Sequence, residues 1–202
     1  AGLGNLRIML PMVTNVAELD EALGLIRRSQ QEVEQEGLES PMPPVGVMVE
    51  VPAAVYQAAA FARRVDFLSV GSNDLTQYLL AVDRNNPRVS DLYHALHPAV
   101  LAALEAVVQG GHGEGKQVSI CGELAGDPLA ALLLLGMGFD VLSMNATSLP
   151  RVKKALRSVT RAEAEALVSE VRGLDNSTQV RHRLEDLLND RGLGQFVPPP
   201  LE

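Results

Sequence analysis

Two carboxylates in this chain each follow a short apolar run. Val45-Gly46-Val47-Met48-Val49 leads into Glu50, and Phe67-Leu68-Ser69-Val70-Gly71-Ser72-Asn73 leads into Asp74. Runs of this length and β-branched content are expected as buried strands. The segment between them, roughly residues 53–64, is rich in strong helix formers. Strand, helix, strand is a βαβ unit with parallel strands, so both carboxylates should arrive at one end of the sheet. Two carboxylates converging there repel unless a cation joins them, and an all-oxygen ligand set suits Mg²⁺. On spacing alone, two unrelated surface carboxylates would look the same.

Three further residues carry chemistry toward the same end. Asn73 could orient a substrate oxygen, or cap the helix expected after it, which is the default role for a lone asparagine there. Arg84 falls in a polar loop, where a guanidinium is either simply solvated or pairs in a fork with a carboxylate or phosphate. Cys121 is the single cysteine and ends the apolar run Val118-Ser119-Ile120. A lone thiol is most often a packed core residue. At a strand end, however, a thiol that is mostly protonated at neutral pH can also donate a proton.

Other patterns dissolve on inspection. Gly110-Gly-His-Gly-Glu-Gly-Lys-Gln117 nearly matches the phosphate-binding GxxxxGK[ST]. It lacks the final hydroxyl residue, and it ends a helix and leads into a strand, the reverse of a phosphate loop. Asp91, His94 and His97 have metal-like spacing, but Pro98 interrupts any shared helix and no partner pair stands out. His112 and His182 carry no local signal. No GxSxG elbow is present.

The elements that must position these residues follow a repeating pattern. Leu6–Val13 is expected as a first strand and 16–37 as a helix with Asn15 as N-cap and Gly37 as stop. Ser40–Pro44 forms a proline-rich connector. After Asp74, residues 75–82 form one or two helical turns, then residues 83–88 a polar loop. Ser90–Leu96 is a short helix, and a longer one from His97-Pro98 to about Val108 ends in the cluster Gly110, Gly111, Gly113 and Gly115. Val118–Glu123 is the fourth strand, 128–135 a helix stopped by Gly136 and Gly138, 141–145 the fifth strand, and 149–159 its helix. Thr160 and Glu163 fit a capping box that opens a helix to about Arg172, and 177–191 is a second such helix. Five strand-then-helix units predict a parallel α/β domain, either an open sheet or part of a barrel. The domain organisation expected is 1–157 for the repeating part and 158–202 for a helical appendage. The closing Leu201-Glu202 after three prolines is set aside as a cloning scar.

Composition narrows the function. The formal net charge of -8 argues against nucleic acid as a partner, as does an aromatic content of 3%. No apolar run of about 20 residues exists to span a membrane. Without an export signal, and with one cysteine, a cytoplasmic protein is expected.

Taken together, these motifs resemble the phosphoenolpyruvate-utilising enzymes. The likeness rests on Gly46-Val-Met-Val-Glu-Val-Pro-Ala-Ala54, on Asp66-Phe-Leu-Ser-Val-Gly-Ser-Asn-Asp-Leu-Thr-Gln-Tyr78 with Ala81-Val-Asp-Arg84, and on Cys121-Gly-Glu-Leu-Ala-Gly-Asp127. It covers about Leu6 to Arg157. It is strongest toward the enzyme I type of the bacterial sugar or nitrogen phosphotransferase system, with pyruvate phosphate dikinase a more distant relative. The resemblance implies a (β/α)₈ barrel, present here as a C-terminal portion whose first strand is the fourth of eight. It implies that Glu50 and Asp74 bind Mg²⁺, that Asn73 and Arg84 hold phosphoenolpyruvate, and that Cys121 protonates the enolate as pyruvate forms. The phosphoryl group would pass to a histidine on a separate domain and then to a histidine-containing phosphocarrier protein. A homodimer is implied as well. The alternative from another class is a regulatory module that binds partners through its helical tail without turnover.

Overall fold

The structure, a computed structural model, describes residues 4–39 and 41–196. Ser40 of the expected connector and the closing Leu201-Glu202 lie outside them. Five strands form one parallel sheet in the order of the chain: β1 (Ile8–Leu10), β2 (Val45–Val49), β3 (Phe67–Gly71), β4 (Gln117–Cys121) and β5 (Val141–Leu142). Each parallel step needs a crossover, and right-handed crossovers in sequential order put every helix on one face. A doubly wound sheet would reverse direction at a switch point, and this one does not. The arrangement is an arc of a singly wound α/β barrel, open between β1 and β5.

Alternation along the strands separates two faces. Val45, Val47, Val49, Leu68, Val70, Val118 and Ile120 are buried in one core beneath the helices. Gly46, Met48 and Glu50 on β2 and just past it, Phe67, Ser69 and Gly71 on β3, and Ser119 and Cys121 on β4 point to the other face. Register aligns Met48, Ser69 and Ser119 in one row and Gly71 with Cys121 in the next. The Phe67 ring lies over Gly46, where a Cβ would sit 2.3 Å from it, and Arg7 covers the ring from 5.5 Å.

The helices are α1 (Val16–Gln35), α2 (Pro52–Val55), α3 (Ala58–Ala62), α4 (Ser72–Leu80), α5 (Pro98–Gly113), α6 (Pro128–Met137) and α7 (Leu149–Leu156). Asn15 caps α1 as expected, its side chain accepting from Glu18 N. The helix expected over 53–64 is instead two short ones, α2 and α3. Residues 90–96 give only a 3₁₀ turn at Ser90–Leu92. The expected glycine stops are corrected in part, although Gly138 does end α6, as its left-handed C-cap at φ 94°. Gly110, Gly111 and Gly113 lie inside α5, and Gly136 lies inside α6. Close packing outweighs weak helix propensity at Gly111 and Gly136: a Cβ on Gly111 would sit 2.3 Å from Val118 Cγ2, and one on Gly136 would sit 2.1 Å from the Ala164 carbonyl oxygen, whereas Gly113, the last residue of α5, has open space around it.

Two more helices complete the chain, α8 (Arg161–Val171) and α9 (Ser177–Asp190). The capping box of Thr160 and Glu163 is present in full. Leu167, Val168 and Val171 of α8, and Val180, Leu184 and Leu188 of α9, join the same hydrophobic core as the sheet. Both helices pack against α6.

At the end of the sheet away from Glu50 and Cys121, Asp140 fastens three elements. Its Oδ2 accepts from Val118 N at 2.7 Å, at the start of β4, and lies 3.0 Å from His112 Nε2 on the last turn of α5. Burial alone would raise the Asp140 carboxyl, but the Val118 N–H and the bond and charge of His112 outweigh it and hold it below its ordinary value. A depressed carboxyl stabilises the fold above its unfolded pKa, and that contribution fades as pH falls through the folded value. Asp140→Ala is therefore expected to cost about 1–2 kcal/mol at neutral pH, modest because the pair is partly exposed. The loss should shrink below about pH 4, where the unfolded carboxyl also protonates. Urea melts of both proteins at pH 7 and pH 3 measure this, and an equal loss at both would exclude an ionised Asp140 as the cause.

The open edges leave apolar groups in solvent. Leu6, Met9 and Met12 near β1 and Val141 on β5 are exposed. A groove of about 790 Å³ runs between β1 and α1, lined in part by Leu6, Ile8, Leu25, Ile26 and Val33. It lies away from the chemistry described next.

Candidate functional site

The C-terminal ends of β2, β3 and β4 bring the sequence-predicted residues into one neighbourhood. Glu50 directly follows β2 and is only 4% exposed. Its Oε1 accepts from Met12 N at 2.8 Å. Met12 delivers that N–H from a left-handed conformation, φ 56°, which is uncommon for a methionine. Backbone strain of this kind costs about 1–3 kcal/mol and collects at functional sites. The other carboxylate oxygen faces Gly71, where a Cβ would meet Glu50 Oε2 at 2.8 Å. Glycine at that position makes room for the buried carboxylate.

Asp74 is placed differently from the sequence expectation. Strand β3 stops at Gly71, and α4 starts at Ser72, so Asp74 sits in the first helical turn rather than at a strand end. There its charge complements the helix dipole. Its Oδ1 lies 4.0 Å from Arg84 Nη2, a long ion pair with both side chains partly solvated. The Glu50 carboxyl is raised, first by burial and further by the charge of Asp74, against the Met12 N–H that lowers it. The two carboxylates therefore do feel each other.

The default role for Asn73 is corrected too. No side chain caps α4, whose N-cap is Gly71. Instead, Asn73 Oδ1 accepts from Glu123 N at 3.2 Å, across to the loop after β4. One residue back, Ser72 Oγ donates to the Cys121 carbonyl at 2.7 Å. Between these two bonds stands Gly122 at φ 100°, where a Cβ would meet Ser72 Oγ at 2.4 Å and Asn73 Oδ1 at 2.9 Å. Only glycine supplies both that conformation and that clearance. The start of α4 and the Cys121 loop are thus stitched together.

Cys121 ends β4, partly buried. Its thiol lies 3.5 Å from the Val70 carbonyl. Burial pushes the thiol pKa up, the Ser69 hydroxyl pulls it down, and the charges of Glu50 and Asp74 push it up again. The net direction is upward, so at neutral pH the group is a thiol and a proton donor rather than a thiolate nucleophile.

Sequence reasoning missed Met12, Gly71, Ser72 and Gly122. A glycine directly after a candidate proton donor was a usable signal for Gly122. The others act through tertiary contacts that leave no local trace. The bland readings of the other motifs hold: His97 caps α5 by accepting from Ala99 N, and the glycine-rich run ends α5 and leads through residues 114–116 into β4. Among the described residues no group of three or more His, Cys, Asp or Glu could hold a metal. Glu50 and Asp74 are two carboxylates at this end of the sheet, and oxygen donors of that kind suit a hard cation. No described helix is long and apolar enough to cross a membrane.

Comparison with known proteins gives the family of the chain. The family model described as PEP-utilising enzyme, PEP-binding domain matches residues 1–161. A protein of Escherichia coli strain K12 named for the phosphoenolpyruvate-dependent phosphotransferase system is 47% identical over 198 residues, 98% of this chain and 26% of that protein. The phosphoenolpyruvate-protein phosphotransferase of Haemophilus influenzae is 44% identical over 191 residues, 94% of this chain and 33% of the relative. That of Bacillus subtilis is 40% identical over 178 residues, 88% of this chain and 31% of the relative. The chain therefore spans between a quarter and a third of the length of these relatives. A solved citrate lyase from Burkholderia xenovorans superposes with a TM-score of 0.56 at 19% identity, covering 96% of this chain and 65% of that one, a likeness of fold alone. A parallel sheet wound in chain order, a signature-bearing site at its C-terminal end and a family match over most of its length lead to one assignment: the chain belongs to the PEP-utilising enzymes, within their PEP-binding domain family.

Proposed function

We propose that this chain forms part of the phosphoenolpyruvate site of a Mg²⁺-dependent phosphoenolpyruvate-protein phosphotransferase of the enzyme I type. The observation that carries this reading is the stitching of Asn73 to the Cys121 loop, which puts a polar anchor and a protonated thiol beside two carboxylates. Residues 1–157 are the C-terminal portion of a (β/α)₈ barrel in this proposal, and 158–202 a helical appendage. Pairing of two copies into a homodimer and a cytoplasmic location belong to the same reading.

In this mechanism Asn73 and Arg84 hold the phosphate and carboxylate of phosphoenolpyruvate. Glu50 and Asp74 would hold Mg²⁺, which when bound would supply positive charge to offset that of the transferring phosphoryl group. The bond between phosphorus and the enol oxygen breaks as a histidine nitrogen on another domain takes the phosphoryl group, later passed to a phosphocarrier protein. The enolate then collapses to a ketone as its methylene carbon takes the proton from Cys121 Sγ. The resulting thiolate regains a proton from solvent. The raised thiol pKa keeps the donor loaded at neutral pH, and turnover should fall as pH rises through it.

Calorimetric titration with phosphoenolpyruvate tests the metal assignment. Binding is expected to require Mg²⁺, and Glu50→Gln should weaken it by at least about tenfold, since even an outer-shell partner is worth that much in metal affinity. Metal-independent binding, or an unchanged affinity in the Gln variant, would remove Glu50 from the site.

A further inference from the structure

The connection from the end of α4 to the start of α5, residues 81–97, carries Arg84. It leaves the helix by a sharp reversal. Ala81 stands in the left-handed region at φ 52°, uncommon for a residue with a Cβ. The reversal folds the chain back onto Gln77, whose carbonyl accepts from Val82 N at 3.0 Å. Val82 then buries its side chain. From Asp83 onward the bonds are those of local turns: Asn85 N to Asp83 Oδ1, Asn86 N to Asp83 O and Arg88 N to Asn86 Oδ1. The N–H of Arg84 takes part in none of these turns. It is bonded from the helix instead, the Gln77 side chain accepting it through Oε1 at 3.2 Å. The next tie to α4, from the Tyr93 hydroxyl to the Asn73 carbonyl, comes well along the connection.

Gln77 and Asp74 stand three residues apart on α4 and so share a face of it. Arg84 meets that face twice, by its backbone at Gln77 and by its guanidinium at Asp74. The second contact is the weaker one, 4.0 Å between Arg84 Nη2 and Asp74 Oδ1 with both side chains partly solvated. An ion pair of that length and exposure does little to hold a long side chain in one geometry. We infer that Gln77 is the positioning residue for Arg84: its side-chain oxygen fixes the backbone from which the guanidinium reaches the site beside Asp74. An arginine on an untethered loop must lose backbone as well as rotamer freedom when a ligand immobilises it, and a tether at its own N–H removes the first of these costs in advance. That Arg84 meets a phosphate or carboxylate rests on the functional reading above; that Gln77 places it does not.

Gln77→Met tests this, since methionine matches glutamine in length and helix propensity but offers no oxygen. In proton–nitrogen correlation spectra of the chain, the Arg84 backbone N–H is expected to be protected from exchange in the native protein and to exchange at least about tenfold faster in Gln77→Met. With the chain grafted into the Escherichia coli relative, KM for phosphoenolpyruvate should rise about tenfold in this variant, by more than kcat falls, because an anchor that grips substrate and transition state alike acts on KM. A substitution that only loosened the fold would lower the amount of active enzyme and leave the KM of the folded fraction alone. Gln77→Glu keeps an acceptor oxygen on the same skeleton, so it should retain the protected Arg84 N–H and a KM within about twofold of native. A KM that Arg84→Met raises and Gln77→Met does not overturns the inference, as does a glutamate variant no better than the methionine one. A KM that Arg84→Met leaves unchanged overturns the functional reading of Arg84 instead, and exchange of its N–H still decides whether Gln77 anchors it.

Discussion

Cys121→Ala is expected to slow pyruvate formation by about 10²–10⁴-fold, the usual contribution of a positioned general acid. Mg²⁺-dependent binding of phosphoenolpyruvate should stay within about twofold, because nothing that holds the ligand is removed and small surface-directed truncations move free energies little. The separation follows from placement. Glu50 and Asp74 come from the ends of β2 and the start of α4, whereas Cys121 comes from β4 and approaches from the neighbouring strand. Its thiol bonds only weakly, to the Val70 carbonyl and Ser69, so its loss leaves no strongly held partner stranded. The assay is best run with this chain grafted in place of the matching segment of the Escherichia coli relative, which supplies the domains needed for turnover. Deuterium uptake into pyruvate isolates the carbon-protonation step. If the alanine variant turns over normally and only melts at lower temperature, Cys121 is a packing residue and the acid must be sought elsewhere.

The largest stability effect should come from a single methyl group at Gly136. In α6 a Cβ there would sit 2.1 Å from the Ala164 carbonyl oxygen and 2.8 Å from Val168 Cγ2. The first contact is with backbone, which cannot swing aside, so α8 must lift off α6. Overpacking of this kind costs about 3 kcal/mol, or a fall of about 6–12 °C in Tm for a chain of this size. The same substitution at Gly24 provides the contrast. Gly24 is interior to α1 with nothing near its missing Cβ. Gly24→Ala should therefore stabilise by about 0.5–1 kcal/mol through helix propensity. Differential scanning calorimetry of both variants gives the comparison. A fall below about 2 °C for Gly136→Ala would mean that α6 and α8 are less tightly apposed than they stand here.

Much of this was legible in the sequence because apolar alternation and β-branched runs are local signals. The five strands, the Asn15 cap, the Thr160 capping box and the neighbourhood of Glu50, Asn73, Asp74, Arg84 and Cys121 could all be read from residue order. Glycines were the main source of error. Gly138 does stop α6, but Gly111 and Gly136 read as helix stops too, because propensity penalises glycine regardless of what packs against it, and only the neighbours Val118 and Ala164 reveal the reason for their small size. The start of α4 was misjudged for a related cause: Asn73 looks like a capping residue, yet its side chain bonds to the loop after β4. Contacts between distant segments leave no period and no local composition to detect.

The chain-order sheet also has a kinetic meaning. Each strand pairs only with its immediate neighbour in sequence, as in a linear array of repeats, so an arc can consolidate piecewise around its own core without waiting for ring closure. The seams are not equal. Gly46 meets Phe67, and Ser119 meets Val141, across short crossovers, whereas Phe67 meets Gln117 only after the whole of α4, the Arg84 connection and α5 have been spanned. Closing the longer loop costs more chain entropy, and contacts of high sequence separation form late. The bonds from Ser72 to the Cys121 carbonyl and from Asn73 to Glu123 lie on that slow seam. In folding, therefore, the start of α4 and the end of β4 are expected to begin on separate blocks, and the neighbourhood they form together is completed only when one block docks on the other.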